Sequence, residues 1–194
     1  RLGLYLQFER DLNAGELDTL RELVRRRATR EPLQHVTGSA GFCGLILKCT
    51  PAALIPRPET EILIEHAARI LAESSPGLVI DVGTGTGAIP LALARKQPAF
   101  QYLGLDISDD ALALAGENAA ASASAPPAGT SVTWKKSNLL EGVTESAALI
   151  TANLPYLTPT EIESAEPEVR HDPRLALEGG ADGLDLIRRL IPQA

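Results

Sequence analysis

The chain has 194 residues, enough for one good-sized domain with a small appendage. Its 44% hydrophobic and 22% charged residues are ordinary for a globular protein, and no apolar run reaches the roughly 18 residues of a membrane helix. The formal charge of −7 argues against a broad phosphate-tracking surface, although Arg25, Arg26, Arg27 and Arg30 form a local basic patch.

Residues 1–29 are predicted to form two short helices. Leu2, Leu6, Leu12, Leu17, Leu20, Leu23 and Val24 give apolar stripes, interrupted at Asn13-Ala14-Gly15. Glu31-Pro32 ends the second helix, since a residue before proline avoids the α region. The stretch 33–55 predicts a hairpin or short strands, with Phe42, Leu45, Ile46 and Leu47 apolar and Gly38, Gly41 and Gly44 marking turns. Cys43 and Cys49 form no C-x-x-C pair and read as free core thiols in a reducing cytosol. His35, His66 and His171 lack metal-ligand spacing, so no metal site is expected. Pro56 and Pro58 lead into a helix through residue 72, whose expected inner face is Ile62, Leu63, His66, Ala67, Ile70 and Leu71.

The stretch from Val79 to Pro90 organises the rest. Val79-Ile80-Asp81-Val82 reads as a strand buried on both faces, Gly83, Gly85 and Gly87 form a tight loop with Thr84 and Thr86, and Ala88 begins a helix. Glycine is needed where the backbone turns sharply and where a ligand approaches without a Cβ in the way. Strand, glycine loop and helix N-terminus together predict a nucleotide cradle. A tight turn without a ligand is the plainer alternative. A second strand over Tyr102–Leu105 ends at Asp106, about 20 residues on, where a carboxylate can accept from both ribose hydroxyls.

Further along, a helix is predicted from Asp109 to about Ala121, and an exposed alanine-, serine- and proline-rich loop from 121 to 129. A strand at Val132–Trp134 leads to Ser137-Asn138-Leu139, and Ala147–Ala152 forms the fourth strand, delivering Asn153-Leu154-Pro155-Tyr156. A proline-interrupted loop follows, then a helix over 182–191 with Leu184, Ile187, Leu190 and Ile191 inward. Strand order 3-2-1-4 in a doubly wound sheet is expected, with the binding loops at its carboxyl edge. The chain starts at Arg1 and holds no methionine, so it is expected to be part of a longer product.

The acid, the glycines and the second acid resemble the motifs of class I S-adenosylmethionine-dependent methyltransferases. The resemblance implies a Rossmann-like α/β fold whose sheet, about three strands short, stops early. It also implies S-adenosylmethionine as cofactor, held by Asp81, Gly83, Thr84, Gly85, Thr86, Gly87, Asp106, Ile107, Asn138, Leu139 and Asn153. The ligand has no phosphate, so exposed loop N–H groups would meet its carboxylate and adenosyl part.

Asn153 to Tyr156 supplies the second half of a site. A planar amide nitrogen is a poor nucleophile because its lone pair is delocalised, so its N–H groups must be held with the lone pair facing the methyl. The Asn153 side-chain oxygen and the Leu154 carbonyl are two suitable acceptors. Pro155 pushes Leu154 towards an extended conformation, and Tyr156 offers a ring face. Catalysis would be orientation and electrostatic fit for in-line transfer, without a covalent intermediate. A structural turn is the bland reading of the tetrapeptide.

The chain resembles the protein-(glutamine-N5) methyltransferases that modify peptide-chain release factors. The resemblance is carried by residues 30–38 (REPLQHVTG), 54–61 (LIPRPETE), 81–87 (DVGTGTG) and 175–184 (LALEGGADGL). It implies the glutamine of a Gly-Gly-Gln loop on a release factor as substrate; the lack of a long apolar run points to no membrane partner, the acidic balance disfavours nucleic acid as a partner, and the cysteine usage points to a cytoplasmic location. It also implies that residues 1–29 end a helical substrate-binding domain, 30–57 a linker with a hairpin, and 58–194 the methyltransferase domain. Two positions depart from the family: Leu154 replaces a proline, with freer φ and a spare N–H, and Asn138 replaces an aspartate beside the adenine. The alternatives are an exocyclic-amine methyltransferase on DNA or RNA, a catalytically silent cofactor-binding module and a nicotinamide dehydrogenase. The acidic balance disfavours the first, Leu154 favours the second, and the third lacks an acid–base set.

Overall fold

A computed structural model describes residues 5–121 and 123–194. Leu2 of the first predicted helix and residue 122 of the predicted loop lie outside them. Helix α1, Ala14–Ala28, opens with a capping box in which Asn13 and Glu16 bond each other's backbone N–H. Leu33–Thr37, expected to be extended, is instead a short helix, α2, closed by Gly38 at φ 75°. Strands β1, Ser39–Phe42, and β2, Leu45–Lys48, form the antiparallel hairpin. Alternation sends Phe42, Leu45 and Leu47 into the core and leaves Ile46 outside, 56% exposed.

Helix α3, Thr60–Ala72, buries Ile64, Ala67 and Leu71. The expected inner face is thus rotated: Ile62, His66 and Ile70 point to solvent, because i, i+3, i+7 from Ile64 is the stripe that meets the sheet. Strand β3, Leu78–Val82, helix α4, Ala88–Lys96, strand β4, Gln101–Asp106, helix α5, Asp109–Ala120, strand β5, Val132–Lys136, and strand β6, Leu149–Ala152, follow. Among the described residues these strands make a four-stranded sheet in spatial order β5-β4-β3-β6, parallel throughout. This is the 3-2-1-4 order expected from the sequence.

Both faces of the sheet are covered. Val79 and Tyr102 pack with the hairpin, α3 and α4, whereas Ile80, Val82, Leu103 and Leu105 form a second cluster with Leu139, Leu140 and Leu154. Two helices complete the chain: α6, Pro159–Ser164, capped by Thr158 and Glu161 inside the stretch expected to be loop, and α7, Asp185–Leu190. Leu186 and Leu190 pack against the second cluster, whereas Leu184 and Ile191 are exposed, so α7 meets the sheet on a different stripe from the predicted one. Among the described residues no helix is long and apolar enough to cross a membrane.

Candidate active site

The carboxyl ends of all four parallel strands converge on one cavity of about 290 Å³, near the lower end for small-molecule sites. From β3 come Gly83 to Thr86, from β4 Asp106 and Ile107, from β5 Asn138 and Leu139, and from β6 Asn153, Leu154 and Pro155. The cavity thus gathers most of the residues proposed from sequence. Gly87, Asp81 and Tyr156 do not line it.

Each of the three has a physical explanation. Gly87, at φ 77°, caps α4 from behind, and a Cβ there would stand 2.7 Å from the Trp134 ring. Asp81 is buried in the sheet, where its register partner Thr151 donates to Oδ1 at 2.7 Å while Oδ2 has no hydrogen-bond partner among the described residues. Burial pushes its carboxyl up to about 7. Tyr156 is 64% exposed, so its ring lies outside the pocket rather than on it.

The glycine loop is held from below. Gly83 and Thr84 both donate to the Leu105 carbonyl at 2.8 and 2.9 Å, Gly87 to the Thr84 carbonyl at 2.9 Å, and Gly85 to Asp106 Oδ2 at 2.9 Å. These N–H groups, expected to face a ligand, are committed inside the fold. Asp106 Oδ1 accepts from Ser108 N at 3.0 Å, so each carboxylate oxygen retains an acceptor position for a hydroxyl donor. Gly85 faces the roof, where a Cβ at its φ of 55° would come 3.7 Å from the Ala53 Cβ. Buried Asn118 stitches the hairpin to this loop: its amide nitrogen donates to the carbonyls of Lys48 and Thr86, and its oxygen accepts from Lys48 N.

Across the cavity, Leu139 adopts φ 58°, a strained conformation for a branched residue that buries its side chain beneath the pocket wall. Asn138 does not present a free amide: it donates to Glu141 Oε1 at 2.9 Å and accepts from Arg189 Nη2 at 3.0 Å. Leu154 is buried under the loop, and its Cδ2 would lie 3.2 Å from a Cβ on Gly83. Packing therefore holds residue 154, where proline would hold it by a fixed φ. Asn153 donates through Nδ2 to the Thr60 hydroxyl at 3.3 Å.

Two wall segments were not assigned to the site from sequence. One is Ala52 to Arg57, with Thr60 beyond it, and the other is Pro173 to Ala176. Asp172, with a fully buried side chain, binds them together: it accepts from Ile55 N at 3.4 Å and from Arg57 Nη2 at 2.6 Å. The paired prolines at 56 and 58 hinted at a fixed segment, but nothing local marks an acid 115 residues from its arginine.

The walls suit an adenosine-bearing ligand. Asp106 offers acceptors to hydroxyl groups, Ile107 and Leu139 give apolar surface, and the glycine face leaves the room that a Cβ would occupy.

The family described as PrmC N-terminal domain matches residues 1–38, and that described as Methyltransferase small domain matches residues 58–169, more than half of the chain. The catalytic domain of hMettl16, solved with the MAT2A 3′UTR hairpin 6, has a TM-score of 0.57 over 77% of this chain and 56% of that one; at 17% identity the likeness speaks for the fold alone. Fold and sequence together define a class I methyltransferase domain. The release factor glutamine methyltransferase of Geobacter sulfurreducens is 42% identical over 196 residues, covering 100% of this chain and 66% of that protein. That of Deinococcus radiodurans is 44% identical over 88% of this chain and 59% of its own length. That of Koribacter versatilis is 36% identical over 100% of this chain and 68% of its own. The chain belongs to the release factor glutamine methyltransferase family. It spans less than two thirds of the length of the Geobacter and Deinococcus proteins.

Proposed function

We propose that this protein transfers a methyl group from S-adenosylmethionine to the side-chain amide N5 of the glutamine in the Gly-Gly-Gln loop of a release factor. The observation that carries the reading is the convergence of Asn153 and the glycine loop on one cavity, at the ends of the paired parallel strands β3 and β6. The cofactor, when bound, would supply an electrophilic sulfonium methyl and leave as S-adenosylhomocysteine, and the glutamine nitrogen would give up one of its two protons. Asp106 would accept from the cofactor's hydroxyl groups, Gly85 would leave it room, and Ile107 and Leu139 would lie beside it. Asn153 Oδ1 and the Leu154 carbonyl accept the two amide N–H groups, which turns the nitrogen lone pair towards the methyl. Buried Leu154 keeps that carbonyl in place, and the apolar wall excludes competing water.

On this reading residues 1–29 end a helical substrate-binding domain, 30–57 form the linker with the hairpin, and 58–194 carry the chemistry in the cytoplasm. Support comes from the match of residues 1–38 to the PrmC N-terminal domain and from the family relatives, which are glutamine rather than nucleic-acid methyltransferases. The test is transfer of labelled methyl to a release factor and to its loop Gln→Ala variant. Label on the first alone is expected. Asn153→Ala should abolish transfer while leaving cofactor affinity within a few-fold. Full activity in that variant would remove the amide clamp.

A further inference from the structure

Asn138, just after β5, and Arg189, on α7, both line the cavity. Ser137 N donates to the Asp106 carbonyl at 2.9 Å, so Asn138 stands directly beyond the carboxylate that the cofactor reading gives to the ribose. Helix α7 is fixed against this loop. Leu186 and Leu190 pack on the second core cluster, and Leu140 N donates to Gln193 Oε1 at 2.9 Å. Glu141 is placed by its backbone: its N–H donates to the Asn138 carbonyl at 3.2 Å, and its carbonyl accepts from Ser137 Oγ at 3.0 Å.

The Asn138 amide has two ends of nearly one shape, and each meets a partner of single polarity. Oδ1 accepts from Arg189 Nη2 at 3.0 Å, and a guanidinium can only donate. Nδ2 donates to Glu141 Oε1 at 2.9 Å, and a carboxylate can only accept. Turning the amide over would set its N–H₂ against the cation and its oxygen against the anion, so one orientation is held. Each end keeps one unused position among the described residues: a second lone pair on Oδ1 and a second N–H on Nδ2.

We propose that Arg189 and Glu141 are positioning residues that fix the Asn138 amide so that it reads the nucleobase of the cofactor as adenine. The proposal rests on the S-adenosylmethionine reading and deepens it. Adenine offers an amino donor beside a ring-nitrogen acceptor, a pair that the oxygen and nitrogen of an asparagine match together. Hypoxanthine has the same rings with an oxygen at position 6 and a proton on N1, the reverse pattern. A freely turning amide takes either base. One held between a cation and an anion takes adenine.

The full chain is titrated by calorimetry with S-adenosylhomocysteine and with its deaminated analogue, S-inosylhomocysteine. The wild type is expected to bind the adenine form at least about tenfold more tightly. The pair Glu141→Met with Arg189→Met frees the amide, and the ratio should fall to within about threefold. The exchange Glu141→Arg with Arg189→Glu turns the amide over, and the hypoxanthine form should become the tighter ligand. A folded methionine pair that keeps the wild-type ratio, or a folded exchange that still prefers adenine, overturns the proposal and leaves the cofactor reading intact. A wild type that binds both forms equally does the same. A wild type that binds neither overturns the cofactor reading and this proposal with it.

Discussion

Burial leaves Asp81 holding its proton to about pH 7, far above the carboxylate range of an unfolded chain. A raised folded-state pKa makes a contribution that is full below about pH 4 and is lost as pH climbs through 7. Stability of the protein without ligand should therefore fall between about pH 4 and 7, and Asp81→Asn should flatten that slope. Urea titrations at several pH values decide it, and parallel slopes in the two proteins would refute the assignment. Asp106 accepts from Gly85 N of the glycine loop and from Ser108 N just beyond its own strand. Asp106→Ala should weaken cofactor binding on calorimetry by at least about tenfold, since both a ligand acceptor and the Gly85 tether are removed. Leu154→Pro trades buried packing for backbone stiffness. A loss of about 1–3 kcal/mol in stability with transfer retained is expected, read from urea unfolding and the methylation assay.

At the scale of elements, the sheet and the loops after it fit through missing side chains. A Cβ on Gly104 of β4 would lie 2.5 Å from the Trp134 ring of β5, and one on Gly87 would meet the same ring. The tryptophan thus fills the space two glycines leave under the loop. Gly104→Ala should cost about 1–3 kcal/mol in urea unfolding, and a neutral result would show that Trp134 moves aside freely. The Gly179–Gly183 turn has the same relation to Pro155 and Tyr156. A Cβ on Gly179 would meet the Pro155 carbonyl at 2.6 Å, and one on Gly183 would collide with the Tyr156 carbonyl. Leu157 N donates to the Leu177 carbonyl and Gly179 N to the Leu157 carbonyl, so this turn supports the strand end that carries Asn153.

Across the whole molecule, α1 is attached by charge rather than by a core. None of its residues is buried, and Leu20 and Val24 are exposed. Arg27 and Arg30 reach Glu168 at 3.0 and 2.7 Å, and Arg30 also reaches Glu166 at 2.7 Å, linking the helix to the segment after α6. Arg30 above all holds the Glu168 carboxyl down at about 2, so the link is intact above about pH 4.5 and fails as pH falls towards 2. Salt should loosen it near neutrality, because about 1 M shortens the screening length from about 10 Å to about 3 Å. Amide exchange in α1 should speed up in 1 M salt and in Glu168→Gln while β3 and β4 keep their protection; equal exchange at both salt concentrations would rule the link out.

Sequence alone determined the strand order, the glycine loop and the two strand ends that meet at the cavity, because each is a local pattern of period, turn and terminus. It also marked Asn153, whose place follows directly from the end of β6. Only the tertiary structure decided which stripe of α3 and of α7 turns inward, since several apolar stripes of similar strength compete and the sheet selects one. It likewise decided that Asp81 belongs to the sheet and Tyr156 to the surface, that Asp172 reaches Arg57, and that Thr60 receives the Asn153 amide. Those outcomes depend on which distant groups share a buried space, and a chain reads only its neighbours until the fold closes that space.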